Sequence, residues 1–196
     1  GKDAHTEVSV AQYARTAAIR DVQAALLHRF VHRSQPKKVL ELGTNLGKSL
    51  ACMASGAPSA ECIGVEGNHG LAAYAQKAMS ALGLDNARVV NASFEAYLSS
   101  DQGGYDVVFV DGDHRYEPTL RYFELVKSKM NGGGAIIFHD IYWSPGMKRA
   151  WAEIKKDRNV TVTIDLFFLG IAWMGKPQAK EDFSIRFPSS LIRLFF

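Results

Sequence analysis

Apolar residues along the chain fall into two periods that take turns. Short dense runs read as buried strands: Val39-Leu40-Glu41-Leu42, Cys62-Ile63-Gly64-Val65, Val89-Val90, Val107-Val108-Phe109-Val110 and Ala135-Ile136-Ile137-Phe138. Between them, apolar residues recur every three or four positions, as one face of a helix requires. Leu46, Leu50 and Met53 form one such series, and Leu71, Tyr74, Ala75, Ala78 and Leu82 a second. Leu120, Phe123, Leu125, Val126 and Met130 form another, as do Met147, Ala150, Trp151 and Ile154. Caps and stops fall where the period changes. Asn68, Ser93 and Ser144-Pro145 open helices, whereas Gly83 and the run Asn131-Gly132-Gly133-Gly134 are expected to stop them. Ahead of the first strand, residues 8–31 keep an approximate helical period with arginines between, which predicts one covering helix or two, ended by Pro36. Behind the last helix, residues 160–166 alternate and residues 170–174 follow after a short link, close enough for an antiparallel pair. The order is βαβα repeated and then a hairpin, which predicts an α/β, doubly wound, mostly parallel sheet.

Length and composition narrow this further. A chain of 196 residues, 47% hydrophobic and 22% charged, suits one well-cored domain. Its expected parts are an N-terminal helical cover (1–35), a core (36–175) and a C-terminal extension (176–196). The net charge of +3 is mild and no Lys/Arg block is interleaved with aromatics, so nucleic acid is not indicated and a small-molecule or protein substrate is expected. No run approaches the roughly 18 apolar residues of a membrane span. Cys52 and Cys62 sit among small or apolar neighbours and read as buried thiols of a reducing compartment, which points to a cytoplasmic protein. A start at Gly1 rather than Met leaves room for a removed upstream segment. In the extension, Phe183-Ser184-Ile185-Arg186-Phe187 alternates like an edge strand, and Ser189 to Phe196 is almost wholly apolar. Such a surface finds a partner or folds back, so a homodimer contact through this tail is expected beside docking onto the chain's own sheet.

Candidate chemistry gathers at the ends of the strand runs. Glu41-Leu42-Gly43-Thr44-Asn45-Leu46-Gly47-Lys48-Ser49 reads as strand, tight turn and helix start. A phosphate-cradling P-loop would need its first glycine at position 42, which is Leu42, and a dinucleotide fingerprint would need one at 45, which is Asn45. The spacing Glu41-x-Gly43-x-x-x-Gly47 remains, beside the plain reading of an ordinary strand-to-helix turn. Glu66 lies 23 residues past Gly43 at the predicted tip of the second strand, placed to accept hydrogen bonds from a ribose diol. Two further strands deliver polar clusters, Asp111-Gly112-Asp113-His114-Arg115-Tyr116 and His139-Asp140. Four apolar residues and an acid also describe a Walker B strand, but no Walker A partner accompanies it, so a nucleotidase is the weaker alternative. For His139 the plain reading is a histidine hydrogen-bonded to backbone at a strand end.

Taken together, Glu41-Leu-Gly43, Glu66, Asp111-Gly-Asp-His114-x-Tyr116, Gly132-Gly-Gly134 and His139-Asp140 resemble the class I S-adenosylmethionine-dependent methyltransferases. The resemblance covers about residues 36 to 175. It is similar in particular to small bacterial O-methyltransferase-like proteins related to catechol and caffeoyl-CoA O-methyltransferases. It implies a Rossmann-like sheet of about seven strands, S-adenosyl-L-methionine as cofactor, and methyl transfer to a small hydroxylated acceptor. Glu41, Gly43, Thr44, Gly47, Ser49, Glu66 and Asp111 become the implied cofactor residues, with Asn91, Ala92 and Ser93 flanking the adenine. Ser93 reads equally as a plain N-cap. In the catechol-type relatives two aspartates and an asparagine hold a divalent cation, and a lysine three residues past the first aspartate is the base. Asp111 and Asp140 match the aspartates, Ile141 replaces the asparagine and His114 takes the base position. Asp111, His139 and Asp140 are then the implied metal set, and His114, Asp111 and Asp140 the implied catalytic residues. A carboxylate-plus-imidazole set suits Mn, Fe or Zn better than Mg. The leading segment often lids the substrate site in such proteins. A fold that binds the cofactor without catalysis would carry the same glycines and Glu66.

Overall fold

The computed structural model describes residues 19–175 and 179–186. Helix α1 (Asp21–Ser34) comes first, and strands and helices then alternate: β1 (Lys38–Leu42), α2 (Lys48–Gly56), β2 (Glu61–Glu66), α3 (His69–Ala81), β3 (Ala87–Asn91) and α4 (Phe94–Ser100). The second half continues with β4 (Tyr105–Val110), α5 (Tyr116–Lys127), β5 (Met130–His139), α6 (Pro145–Lys156), β6 (Val160–Asp165), β7 (Leu169–Met174) and β8 (Glu181–Ser184). All eight strands form one sheet in the order β3-β2-β1-β4-β5-β7-β6-β8. Strands β1 to β5 run parallel, and β7 is antiparallel to both β5 and β6. The doubly wound α/β sheet with its C-terminal hairpin is therefore present. The expected seven strands are eight among the described residues, because β8 adds to the edge parallel to β6.

Helices cover both faces because both faces of the central strands are apolar. One core joins Leu27 and Val31 of α1, Met53 of α2 and Met79 of α3 to Val39, Cys62, Phe109 and Ile137. The other joins Leu98 of α4, Phe123 of α5 and Trp151 and Ile154 of α6 to Leu40, Ile63, Val108 and Phe138. The caps work as their residue types require: Asn68, Ser93 and Ser144 each accept a backbone N–H from the first turn of the following helix.

Three expectations shift. Of the 8–31 helical pattern, the described part is α1; residues 8–18 lie outside the described residues, as do 187–196 with the apolar tail. The edge strand expected at 183–187 begins two residues earlier, at Glu181, and ends at Ser184. The glycine run 131–134 does not stop a helix: α5 has already ended at Lys127, and the glycines belong to β5. Met130 pairs with Tyr105 and Ala135 with Val107, so residues 131–134 bulge opposite Asp106 alone. The Asp106 carboxylate holds the bulge by accepting from Asn131 Nδ2 at 2.7 Å and from the backbone of Lys37 and Lys38 at 2.7 and 3.1 Å.

Candidate active site

Register alone builds the site. Leu42 pairs with Val65 and Val110, Val110 with Phe138, and Glu66 with Asn91. The carboxyl ends of five parallel strands consequently place Asn91, Glu66, Gly43, Asp111 and His139 in one row across the sheet. The sheet order turns outward in both directions from β1 and β4, and this is the point at which open α/β sheets hold ligands.

On the β1 side the loop is locked to its neighbours. Gly43 has φ 98°, and a Cβ on it would lie 2.0 Å from the Asp111 carbonyl oxygen, so only glycine fits against the end of β4. Gly47 opens α2 with no side-chain cap, which leaves first-turn amides of α2 for a ligand. The side of Gly47 where a Cβ would stand meets Met79 and Ala75 of α3. Glu66 ties the loop to β2: one carboxylate oxygen accepts the Asn45 N–H at 2.9 Å and the other the Asn68 N–H at 2.8 Å. Each oxygen keeps a further lone pair. Gly64 escaped the sequence reading. A Cβ there would lie 2.3 Å from Thr44 Oγ1, so this β2 glycine makes the space in which Thr44 is buried. A glycine inside a strand pattern was the available signal.

Glu41 lies beneath the loop, 0% exposed. Burial pushes its pKa up to about 8, with the Ser49 and Thr44 hydroxyls working against the rise and the charges of Asp111 and Glu66 adding to it. Neither Glu41 oxygen has a hydrogen-bond partner of normal geometry, so the hydroxyls act at close range without closing a well-formed bond. Farther along the row, Asn91 Nδ2 donates to the Glu66 and Gly67 carbonyls at 2.8 and 3.1 Å, and Ser93 caps α4. Both side chains serve the local fold, and Ala92 is half-buried beside them.

On the β4 and β5 side, Asp111, His114 and His139 come together, with ligating atoms all within 4.8 Å of one another. His139 Nδ1 lies 2.8 Å from Asp111 Oδ1 and 3.6 Å from Asp140 Oδ2, and His114 Nε2 lies 3.5 Å from the same Asp111 oxygen. The short Nδ1 contact is not a hydrogen bond in line, for Nδ1 has no partner of normal geometry. Burial pulls the His139 pKa down, but the Asp111 contact and the charges of Asp111 and Asp140 outweigh it, and the net shift is upward. Asp113 points elsewhere and forms a forked pair with Arg115. The compact set therefore contains His114 where the sequence suggested Asp140, which sits at its margin with φ 53°.

Helix α1 reaches this site from above. Lys48 Nζ donates to the Ile19 carbonyl at 2.7 Å and to Asp21 at 2.6 Å, and Ile19 lines the space over Gly43, Thr44, Ser49 and Asp111. Gln23, 8% exposed, has Oε1 3.3 Å from His139 Nε2. No local pattern signals this contact, because the two residues are 116 positions apart.

Residues 40–141, more than half of the chain, match the family model described as a methyltransferase domain, and the chain belongs to that family. The fold is shared with solved methyltransferases. Cofactor-bound Rv0187 from MTB has a TM-score of 0.74 at 20% identity, covering 83% of this chain and 84% of that one. An O-methyltransferase from Bacillus cereus in complex with SAH has a TM-score of 0.68 at 18% identity, covering 81% of this chain and 82% of that one. Among curated proteins, the uncharacterised protein R132 of Acanthamoeba polyphaga mimivirus is 38% identical over 63 residues, 31% of this chain. The chain spans 28% of that relative's length.

Proposed function

We propose that this methyltransferase transfers a methyl group from S-adenosyl-L-methionine to a hydroxyl of a small molecule. The observation that carries the reading is the row of strand ends, which sets a glycine loop and a ribose-type carboxylate beside a carboxylate–imidazole cluster. When bound, the cofactor supplies a methyl group on a positive sulfonium. Uncapped α2 amides, Gly43, Gly47, Thr44 and Ser49 shape its seat, Glu66 offers two lone pairs to the ribose diol, and Asn91, Ala92 and Ser93 border the adenine through the β3–α4 turn. Glu41 supports that loop from below. With no ion on its Nε2, His114, over a quarter exposed and beside Asp111, is placed to take the acceptor's proton; ligation through Nε2 would remove it from that role. Methyl transfer is an in-line displacement, so holding the acceptor oxygen at the correct distance accounts for much of the rate.

The donor set fits a divalent cation. Two ligands of one first-row ion stand about 3 Å apart when each is about 2.1 Å from it, and the Asp111–His139 and Asp111–His114 separations bracket that spacing. Asp111, His139 and His114, with Asp140 at the margin, would hold such an ion, and it would lower the pKa of the acceptor hydroxyl. Two imidazoles favour Mn, Fe or Zn over Mg. The proposal extends to a cytoplasmic protein with a small-molecule acceptor, no nucleic-acid partner, and a homodimer contact through the C-terminal tail. Both cysteines are free, but only Cys62 is buried as expected, Cys52 being half-buried; loss of water raises the pKa of both thiols, that of Cys62 to about 12. Among the described residues no helix is long and apolar enough to cross a membrane.

The test is incubation with methyl-labelled cofactor and a panel of hydroxylated acceptors, with and without Mn²⁺ or Zn²⁺. Label appearing in an acceptor supports the reading. Tight cofactor binding with no transfer to any acceptor class would replace it with a non-catalytic binding module.

A further inference from the structure

Gln23 lies in the first turn of α1, far from the strand ends in sequence, yet its buried amide meets the imidazole of His139. Its Oε1 accepts the Arg20 backbone N–H at 3.2 Å, which fixes the oxygen rather than the nitrogen as the amide atom facing the ring. An amide oxygen only accepts, so the hydrogen in the 3.3 Å contact belongs to His139 Nε2. On the opposite edge of the ring, Nδ1 faces Asp111 Oδ1 at 2.8 Å without in-line geometry. A neutral ring carries one hydrogen. With that hydrogen on Nε2, the Nδ1 lone pair of the neutral ring points among carboxylate oxygens, an arrangement relieved by a cation standing between them or by a second proton on Nδ1.

We propose that Gln23 is a positioning residue: it holds the His139 hydrogen on Nε2 and so presents Nδ1 as the free donor beside Asp111 and His114. The inference rests on the divalent-cation reading above and assigns α1 a part in it. The same turn is held to the cofactor loop through Lys48, which contacts the Ile19 carbonyl and Asp21. One helix end thus spans both halves of the site, and the geometry of the metal-facing imidazole depends on its placement. Partners that hold the far nitrogen of a ligating histidine typically matter 10- to 100-fold in metal affinity.

The experiment uses the full chain with Gln23→Met, which keeps length and removes the acceptor, and Gln23→Glu, which retains one. Two readouts are taken. Nitrogen-15 NMR of histidine-labelled, metal-free protein, at a pH where the ring is neutral, reports which nitrogen carries the hydrogen. Titration with Co²⁺ alone, followed by its visible absorption, reports the metal. The wild type is expected to show the Nε2–H form at His139. Gln23→Met should shift it toward Nδ1–H and weaken Co²⁺ binding about 10- to 100-fold, and Gln23→Glu should restore both. A Gln23→Met protein that keeps the Nε2–H form overturns the inference, even where Co²⁺ binding falls, since that marks a structural role only. Should Gln23→Met not fold, loss of the Nε2–H form in Gln23→Glu overturns it equally. A wild type that shows Nε2–H but binds neither Co²⁺ nor Mn²⁺ sinks the cation reading while leaving the hydrogen placement standing.

Discussion

Glu41 and Glu66 illustrate how differently two carboxylates on one sheet can serve. Glu41 is sealed under the loop, and the dominant effect on it is the loss of water. An unfolded chain ionises this group near 4.5, whereas the folded chain holds its proton to about 8. Between those values the folded state binds a proton that the unfolded state has released, so stability falls as pH rises across that window. The contribution is complete below about pH 4.5 and gone once pH has passed about 8. Glu41→Gln is therefore expected to flatten the decline of the thermal midpoint over that range. Parallel midpoint curves for the two proteins would assign the titration to another group. Glu66, by contrast, is half-exposed and already employed by the Asn45 and Asn68 amides, so it is preorganised to receive a diol. Glu66→Ala should weaken binding of S-adenosylmethionine and of its demethylated product by about 2 to 5 kcal/mol, as two charge-assisted hydrogen bonds are lost. Calorimetry that finds an unchanged affinity removes Glu66 from the ribose.

Among the elements, the β1–α2 turn is the one most constrained by its neighbours. Gly43 carries two separable demands, a φ of 98° and a backbone oxygen at 2.0 Å from any Cβ, whereas Gly83 has φ 67° and open space. Gly83→Ala should cost about 1 kcal/mol, from backbone strain alone. Gly43→Ala adds displacement of the β4 end and should cost roughly 2 to 5 kcal/mol and abolish cofactor binding. Equal losses in thermal stability for the two variants would show that the contact with Asp111 is slack. Strands β1 to β5 were legible in the sequence because each contains a short dense apolar run, and the row of candidate site residues followed because strand ends in a parallel sheet are aligned by register. The glycine bulge in β5 was not legible, since glycine runs stop helices far more often than they interrupt strands. Gln23 beside His139, and the grouping of His114 with Asp111 and His139, were hidden for a different reason. Each depends on a contact between elements distant in sequence, and no local period encodes it.

At the scale of the whole molecule, the two sides of the sheet are unequal. The β1 to β5 region is covered on both faces, but the β7-β6-β8 side borders an apolar groove of about 470 Å³, lined by Val162, Ile164, Trp173, Met174 and Phe183 with Gly133 and Thr161. Strand β8 forms the outer edge there. Its four residues are all exposed, and Glu181 and Asp182 blunt it against strand addition. Arg186, just beyond it, is held to the Asp165 carboxylate at 3.0 Å, and the sequence then continues through the stretch 187–196. That stretch includes Leu191, Ile192, Leu194, Phe195 and Phe196. Full burial of such side chains contributes about 1.5 to 3 kcal/mol each, far more than the single Arg193 charge opposes. A second copy of the chain offers the same surfaces, and self-complementary contact is the commonest route to a closed dimer. Deleting residues 189–196 is therefore expected to shift an oligomer toward monomer and to leave cofactor affinity within about twofold, because the strand-end row contains none of these residues. Light scattering of both proteins over a wide concentration range decides it. A full-length chain that stays monomeric throughout removes the dimer and leaves docking onto its own sheet, in which case the deletion should instead lower the thermal midpoint without changing the mass per particle beyond the eight residues lost.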